Sequence, residues 1–238
     1  MFTHKGKTRT YLHNLEIASL LSLVAGIVNV AGFLSVQQLT TNVTGHFAMF
    51  VDELFKQHFW KGYHYFLYIL FFFLGSFFSG FSIEYIRKIN DRLIYRVPII
   101  IESSILFIIA FLGHSIIAFQ PNFVAYALLF AMGLQNSLVT KISKSTVRTT
   151  HLTGLFTDLG IELSQLFFYK NQEQRNKLNS SIKLRLTIIS CFFLGVLLGG
   201  IFYSKIQLNV LLVAGILLIL GLIYDDIIIR LKLKRKLK

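Results

Sequence analysis

Six apolar runs, each close to the length of a membrane crossing, dominate this chain and leave it little freedom. They lie at about 15–36, 65–86, 98–119, 122–140, 186–203 and 208–229. A helix needs ~20 predominantly apolar residues to cross about 30 Å of hydrocarbon. A soluble domain covers itself with roughly a quarter charged residues, whereas here 15% of 238 residues are charged and 54% are hydrophobic. The expected fold is an all-α integral membrane protein with six transmembrane helices. Two short amphipathic stretches, 46–58 and 155–169, are too short to cross alone and are expected as re-entrant or half-helices. The first run is longer than a secretory signal core and lacks a small-residue cleavage site, so it is read as an uncleaved span.

Charge sets the expected orientation. With six crossings, all of the 24 Lys and Arg except Lys56, Lys61 and Lys205 fall on one side. The positive-inside rule makes that side cytoplasmic and puts both termini there. If the two short stretches also crossed, the basic clusters at 87–96 and 170–185 would lie on opposite sides and the asymmetry would largely vanish. The formal charge of +13 is therefore an orientation signal, and no nucleic-acid partner is expected. Cys191 stands alone in an apolar run, which excludes a disulfide framework. No cofactor is expected.

The chain also resembles itself. Phe72-Phe73-Leu74-Gly75 followed by Gly80 recurs as Phe192-Phe193-Leu194-Gly195 followed by Gly200. Upstream, Thr41-Asn42-Val43-Thr44-Gly45 matches Thr150-His151-Leu152-Thr153-Gly154, which places Glu53 on Glu162. Further upstream, Gly26 and Asn29 keep the three-residue spacing of Gly133 and Asn136. The matches divide the chain into a segment 1–14, a first unit 15–119, a second unit 120–229 and a basic tail 230–238. Each unit holds three crossings, an odd number, so the second must lie inverted relative to the first. Inverted units with interrupted helices characterise secondary transporters, whose sites lie where the broken segments meet.

Several polar residues are candidates for such a site. Thr41, Thr44, Thr150 and Thr153 are expected to cap the short helices, with Gly45 and Gly154 letting the backbone turn. Two helix starts aimed inward would favour an anion or a substrate carboxylate. His46 stands beside the first turn, and Asn29, Gln135 and Asn136 are polar positions inside spans, where burial is costly and such residues usually face the bundle interior, either as hydrogen-bonding glue between helices or as substrate contacts. Glu53, Glu102 and Glu162 are candidates for ion coupling, with Glu102 near enough to Pro98 to reach the headgroups. The glycine stripes Gly75/Ser79 and Gly195/Gly199 suit helix packing within one chain or in a homodimer. His46, Glu53, His151 and Asp158 lack diagnostic metal spacing, no hydrolase motif is present, and no enzyme activity is expected.

The stretches 26–33 (GIVNVAGF), 41–46 (TNVTGH), 73–80, 133–136 (GLQN) and 148–158 (RTTHLTGLFTD) resemble the bacterial YoaK family of multi-pass membrane proteins. The resemblance runs from about residue 15 to 229. It implies a multi-pass protein of a bacterial cytoplasmic membrane but no substrate, because that family is defined by a domain of unknown function. Asp is usual there at the position of Asn29, and Asn at that of His46. The function expected from the residues is a permease for a small anionic or zwitterionic solute. The alternative is a non-transporting membrane scaffold.

Overall fold

The structure is a computed structural model that describes residues 2, 9–90 and 93–236, with side chains in the last helix described to 228 and at Leu231. Lys5 and Lys7, and the basic side chains of the tail from Arg230 onward, lie outside the described residues. The helices in chain order are α1 (Tyr11–Val36), α2 (Val43–Phe55), α3 (Phe59–Arg87), α4 (Arg96–Phe119), α5 (Pro121–Ser143), α6 (Leu152–Gln165), α7 (Gln172–Ile206) and α8 (Val210–Lys236), with a 3-10 turn at Gln207–Asn209. There is no strand among the described residues. Five helical stretches are long and apolar enough to cross a membrane, the last of them running from Gln172 to Ile228 through that turn.

Burial ranks these stretches. The most apolar windows of α1 and α5 are 61% and 67% buried, against 28–39% for the others, so α1 and α5 form the centre. The two cross in opposite directions: Gln135 Nε2 donates to the Leu21 carbonyl at 2.9 Å, while Gly32 meets Leu128. Outside them, exposed Phe73, Phe77, Phe81 and Tyr85 stack in i,i+4 steps along α3, the surface expected against acyl chains.

Glycine decides which helices touch. A Cβ on Gly26 would overlap the Phe192 carbonyl oxygen, and one on Gly195 that of Leu23; a Cβ on Gly133 would overlap the Phe72 carbonyl oxygen, and one on Gly75 that of Phe130. Thus α1 lies backbone to backbone along α7, and α3 along α5. Both pairs run parallel. From His64–Tyr126 through Ser76–Gly133 to Glu84–Lys141, residue numbers rise together on α3 and α5. On the other side, Leu23 faces Gly195 and Val30 faces Gly199 and Gly200. Small residues let helices approach this closely where no hydrophobic gain from water is on offer.

One long helix starts well before its expected boundary. The basic segment 170–185, expected between the short stretch and the fifth span, belongs to α7 from Gln172 onward. It has no Gly or Pro, Asn171 accepts from the Glu173 N–H at 2.9 Å, and Glu173 pairs with Lys177 four residues on, so nothing stops the helix before the apolar run. The chain then turns at Gln207, whose φ of 50° ends α7. Beyond it α8 returns along α4: Leu208 meets Gly113, Gly215 meets Phe107, and Asp226 pairs with Arg96.

Candidate functional site: the paired threonine-glycine elements

The short helices begin three residues earlier than expected, at Val43 and Leu152, so the motif occupies their first turns. Thr44 and Thr153 are second in their helices, and Gly45 and Gly154 third. The capping role falls elsewhere. Asn42, the N-cap of α2, accepts from the Gly45 N–H at 3.0 Å and from Thr44 Oγ1 at 3.1 Å. Its counterpart His151 is the N-cap of α6 and makes no side-chain cap bond. Nor do the glycines turn the chain. A Cβ on Gly45 would come within 2.8 Å of the Asn42 amide nitrogen, and one on Gly154 within 2.5 Å of the His151 ring. Each glycine makes room for the cap side chain folded over it.

Thr41 and Thr150 reach back to the long helices. Thr41 Oγ1 donates to Asn29 Oδ1 on α1 at 2.9 Å, and Thr150 Oγ1 donates to Asn136 Oδ1 on α5 at 2.8 Å. The same pair of matched residues therefore makes the same bond twice. Asn136 also donates Nδ2–H to the Met132 carbonyl. One residue upstream stands a further match that the sequence reading missed: Thr40 and Thr149 are both fully buried. Thr40 donates to the Val28 carbonyl at 3.4 Å, and Thr149 accepts from Gln135 at 3.4 Å. Extending the self-comparison by one position would have found them. Gln135 is fully buried as well, and its Oε1 has no partner.

The two turns enter from opposite ends of the α1–α5 crossing. Gln135 marks the level of Leu21 on α1, and eight residues at 1.5 Å rise place Asn29 about 12 Å farther along that axis. Between these levels Ala25, Val28 and Met132 are fully buried. The turns are thus anchored near the centre, with packed side chains separating them.

Their surroundings differ. His46 is 4% exposed; its Nε2–H donates to the Leu39 carbonyl at 2.8 Å, and its ring packs 5.1 Å from Tyr68 and 6.1 Å from Tyr65. Tyr68 in turn donates to Asn122 on α5. The first element is closed by these rings. His46 corresponds to Leu155, which is also buried. Burial holds the His46 imidazole below its ordinary range. A folded-state pKa that is depressed means stability present above the unfolded value of about 6.5 and lost as the pH falls below it. The unfolding midpoint should drop between pH 7.5 and 5.5, and His46→Phe should flatten that slope; an unchanged slope in the variant would assign it to other groups.

The second element stands beside open space. A cavity of about 230 Å³ is lined by Arg148, His151, Gly154, Asp158, Ser181 and Arg185, among others. A wider groove of about 570 Å³ holds Asn136, Ser76, Ser137, Thr140, Lys141 and Lys144. Ser145 borders both. Neither includes Thr41, Thr44 or His46.

The candidate carboxylates do not form a matched pair. Glu53 takes His58, the N-cap residue of α3, 2.9 Å away. Glu162 accepts from Ser181 at 2.6 Å and from Arg185 Nε at 2.9 Å, tying α6 to α7. Glu102 does not reach the headgroups. It is 0% exposed on α4, and neither carboxylate oxygen has a partner. Among the described residues no group of three or more His, Cys, Asp or Glu gathers as a metal site.

A family model described as a protein of unknown function, DUF1275, matches residues 17–224. The chain belongs to that family. No curated protein and no solved structure matches it. Every matched element above, from Gly26 to Gly200, lies inside the DUF1275 region, and the Thr–Asn bonds and glycine contacts are features of this DUF1275 chain's own geometry.

Proposed function

We propose that this protein is a permease built from two inverted units, 15–119 and 120–229, that moves a small anionic or zwitterionic solute by alternating access. The carrying observation is the repeated bond, Thr41 to Asn29 and Thr150 to Asn136, set in the same glycine-spaced frame. The helix pairing supports inversion. The first long helix of each unit lies along the second long helix of the other, α1 with α7 and α5 with α3, as an exchange about a two-fold axis in the membrane plane requires. The stretch 172–228 is then two crossings. As one straight helix its 57 residues would extend about 85 Å, far beyond the hydrocarbon, whereas α8 runs back along α4. Such a site sits with both termini on the cytoplasmic side, binds no nucleic acid and needs no catalytic group.

Backbone free of helical bonds inside a bilayer must be held by protein or water. Thr41 and Thr150 hold the incoming chain to the crossing helices, and breaking either bond lets a turn shift. Thr41→Val with Thr150→Val should therefore abolish uptake of organic anions into proteoliposomes. The cost in stability should be only about 1 kcal/mol per lost bond. Uptake at the wild-type rate in the double variant would overturn the assigned site.

One observation favours a non-transporting scaffold instead. The space between the two turns is filled by Ala25, Val28 and Met132. The scaffold reading predicts no anion-dependent flux under any gradient and no anion-dependent stabilisation. A transporter held closed at one end shows both.

A further inference from the structure

We infer that the 230 Å³ cavity beside the second element is an anion-binding vestibule in which a solute carboxylate or phosphate replaces Asp158 on Arg185. The role given to this vestibule, solute access, rests on the transport reading; the binding does not. Two arginines, Arg148 and Arg185, and one acid, Asp158, line the cavity. Arg148 has no ion-pair partner among the described residues, while Arg185 divides its donors between two acids.

Those two acids hold Arg185 differently. Glu162 meets Nε at 2.9 Å, is 14% exposed, and takes a second bond from Ser181. Asp158 meets Nη1 at 2.8 Å and is 51% exposed, with little else fixing it. The Asp158 arm is the one water and solute can reach, and an exposed ion pair has little net strength. A guanidinium presents its donors in a flat fork that matches an oxyanion. With Arg148 lining the same cavity, an incoming anion gains two cations, and Asp158 turns out to solvent. The volume suits a solute of a few carbon atoms, since pockets for drug-sized ligands begin at roughly 300 Å³.

The exchange also loosens α6. Two side-chain ties, Arg185–Asp158 and the Arg185–Glu162–Ser181 set, join α6 to α7. Binding releases the first and leaves the second, so the occupied cavity holds α6 by one tie instead of two. This couples occupancy to the element that carries the Thr150 turn.

The test uses the full chain in lipid nanodiscs, with inorganic phosphate and succinate as probes and the unfolding midpoint as readout. At least one probe should stabilise the wild type saturably. Arg148→Gln should weaken the apparent affinity about tenfold or more, the loss expected for a charged contact. Asp158→Asn should tighten it severalfold, because the competing carboxylate is gone. Lys177→Gln, a charge change on the exposed part of α7, should leave the affinity unchanged. No saturable stabilisation by either probe, or Asp158→Asn that binds no more tightly than wild type, would overturn the vestibule. Equal weakening by Lys177→Gln would do the same, reducing the effect to diffuse charge. If liposomes show no flux while Asp158→Asn still tightens binding, the transport reading fails alone. If flux persists while neither Asp158→Asn nor Arg148→Gln moves binding, the vestibule fails alone.

Discussion

Gly75→Val should prevent the protein from accumulating as a folded species, whereas Gly160→Ala should leave it intact or slightly more stable. At Gly75 a Cβ would overlap the Phe130 carbonyl oxygen, with the Phe130 carbonyl carbon at 2.9 Å. That neighbour is backbone on a parallel helix and cannot rotate away. Relief requires α3 and α5 to move apart, which breaks the Ser76–Gly133 bond and opens the contact from Phe72 to Ser76. Ordinary overpacking costs 1–3 kcal/mol. Spreading a helix pair along its length should exceed about 3 kcal/mol, a large part of the stability of a typical domain. Gly26→Val, Gly133→Val and Gly195→Val should behave alike, because all four positions meet a backbone oxygen in the same way. Gly160 has nothing within 4 Å, so Ala there should gain roughly 0.5–1 kcal/mol of helix preference. Gly80, which faces only the Ser137 hydroxyl at 3.7 Å, should accept Ala. Yield of monodisperse protein after mild detergent extraction, followed by the thermal unfolding midpoint, separates the two groups. Equal recovery of Gly75→Val and Gly160→Ala would mean the helices do not meet there.

The helix pairing explains why those glycines stood out in the sequence. Their spacing repeats because the contact repeats, and a Gly that meets a backbone tolerates no other residue. The T-x-x-T-G match was legible for the same reason, since both copies must bond an asparagine on a crossing helix. What each threonine bonds was not legible. A hydroxyl at a helix start is most often a cap, and only the return of the chain toward α1 and α5 shows that Asn42 caps α2 while Thr41 serves the core. The link from Arg185 to Asp158 and Glu162 was equally hidden, because it needs α6 to lie against the part of α7 that was expected to precede the fifth span. Glu102 was misplaced because its distance from Pro98 along the chain says nothing about which helix face it occupies. Local spacing carries contacts made between repeated elements; it does not carry contacts that depend on how α4 rotates against α5 and α8.

Glu102→Leu should raise the unfolding midpoint and, at the same time, abolish uptake. The carboxyl is fully buried, and both oxygens lack partners. On α4 it lies between the two ties to α8, Arg96–Asp226 on one side and Phe107–Gly215 on the other. The facing stretch of α8, 216–224, contains no Lys, Arg or His, so α8 supplies no counter-ion at that level. A buried polar group left unbonded costs about 1–3 kcal/mol, and an apolar side chain of similar volume removes that cost. An unpaired carboxyl buried at that expense inside a membrane helix is a candidate coupling group, and the expected loss of uptake follows from that reading. Glu102→Gln separates shape from acidity. It keeps the size and hydrogen-bonding capacity, loses the ionisable group, and should also lack uptake while remaining as well folded as wild type. Thermal unfolding in nanodiscs and proton-gradient-driven uptake, measured on the same preparations, give the two readouts. A stabilised Glu102→Leu that transports normally would show that uptake does not need Glu102. A destabilised one would mean the carboxyl is bonded in the membrane, and that burial at this site supports the α4–α8 contact instead of opposing it.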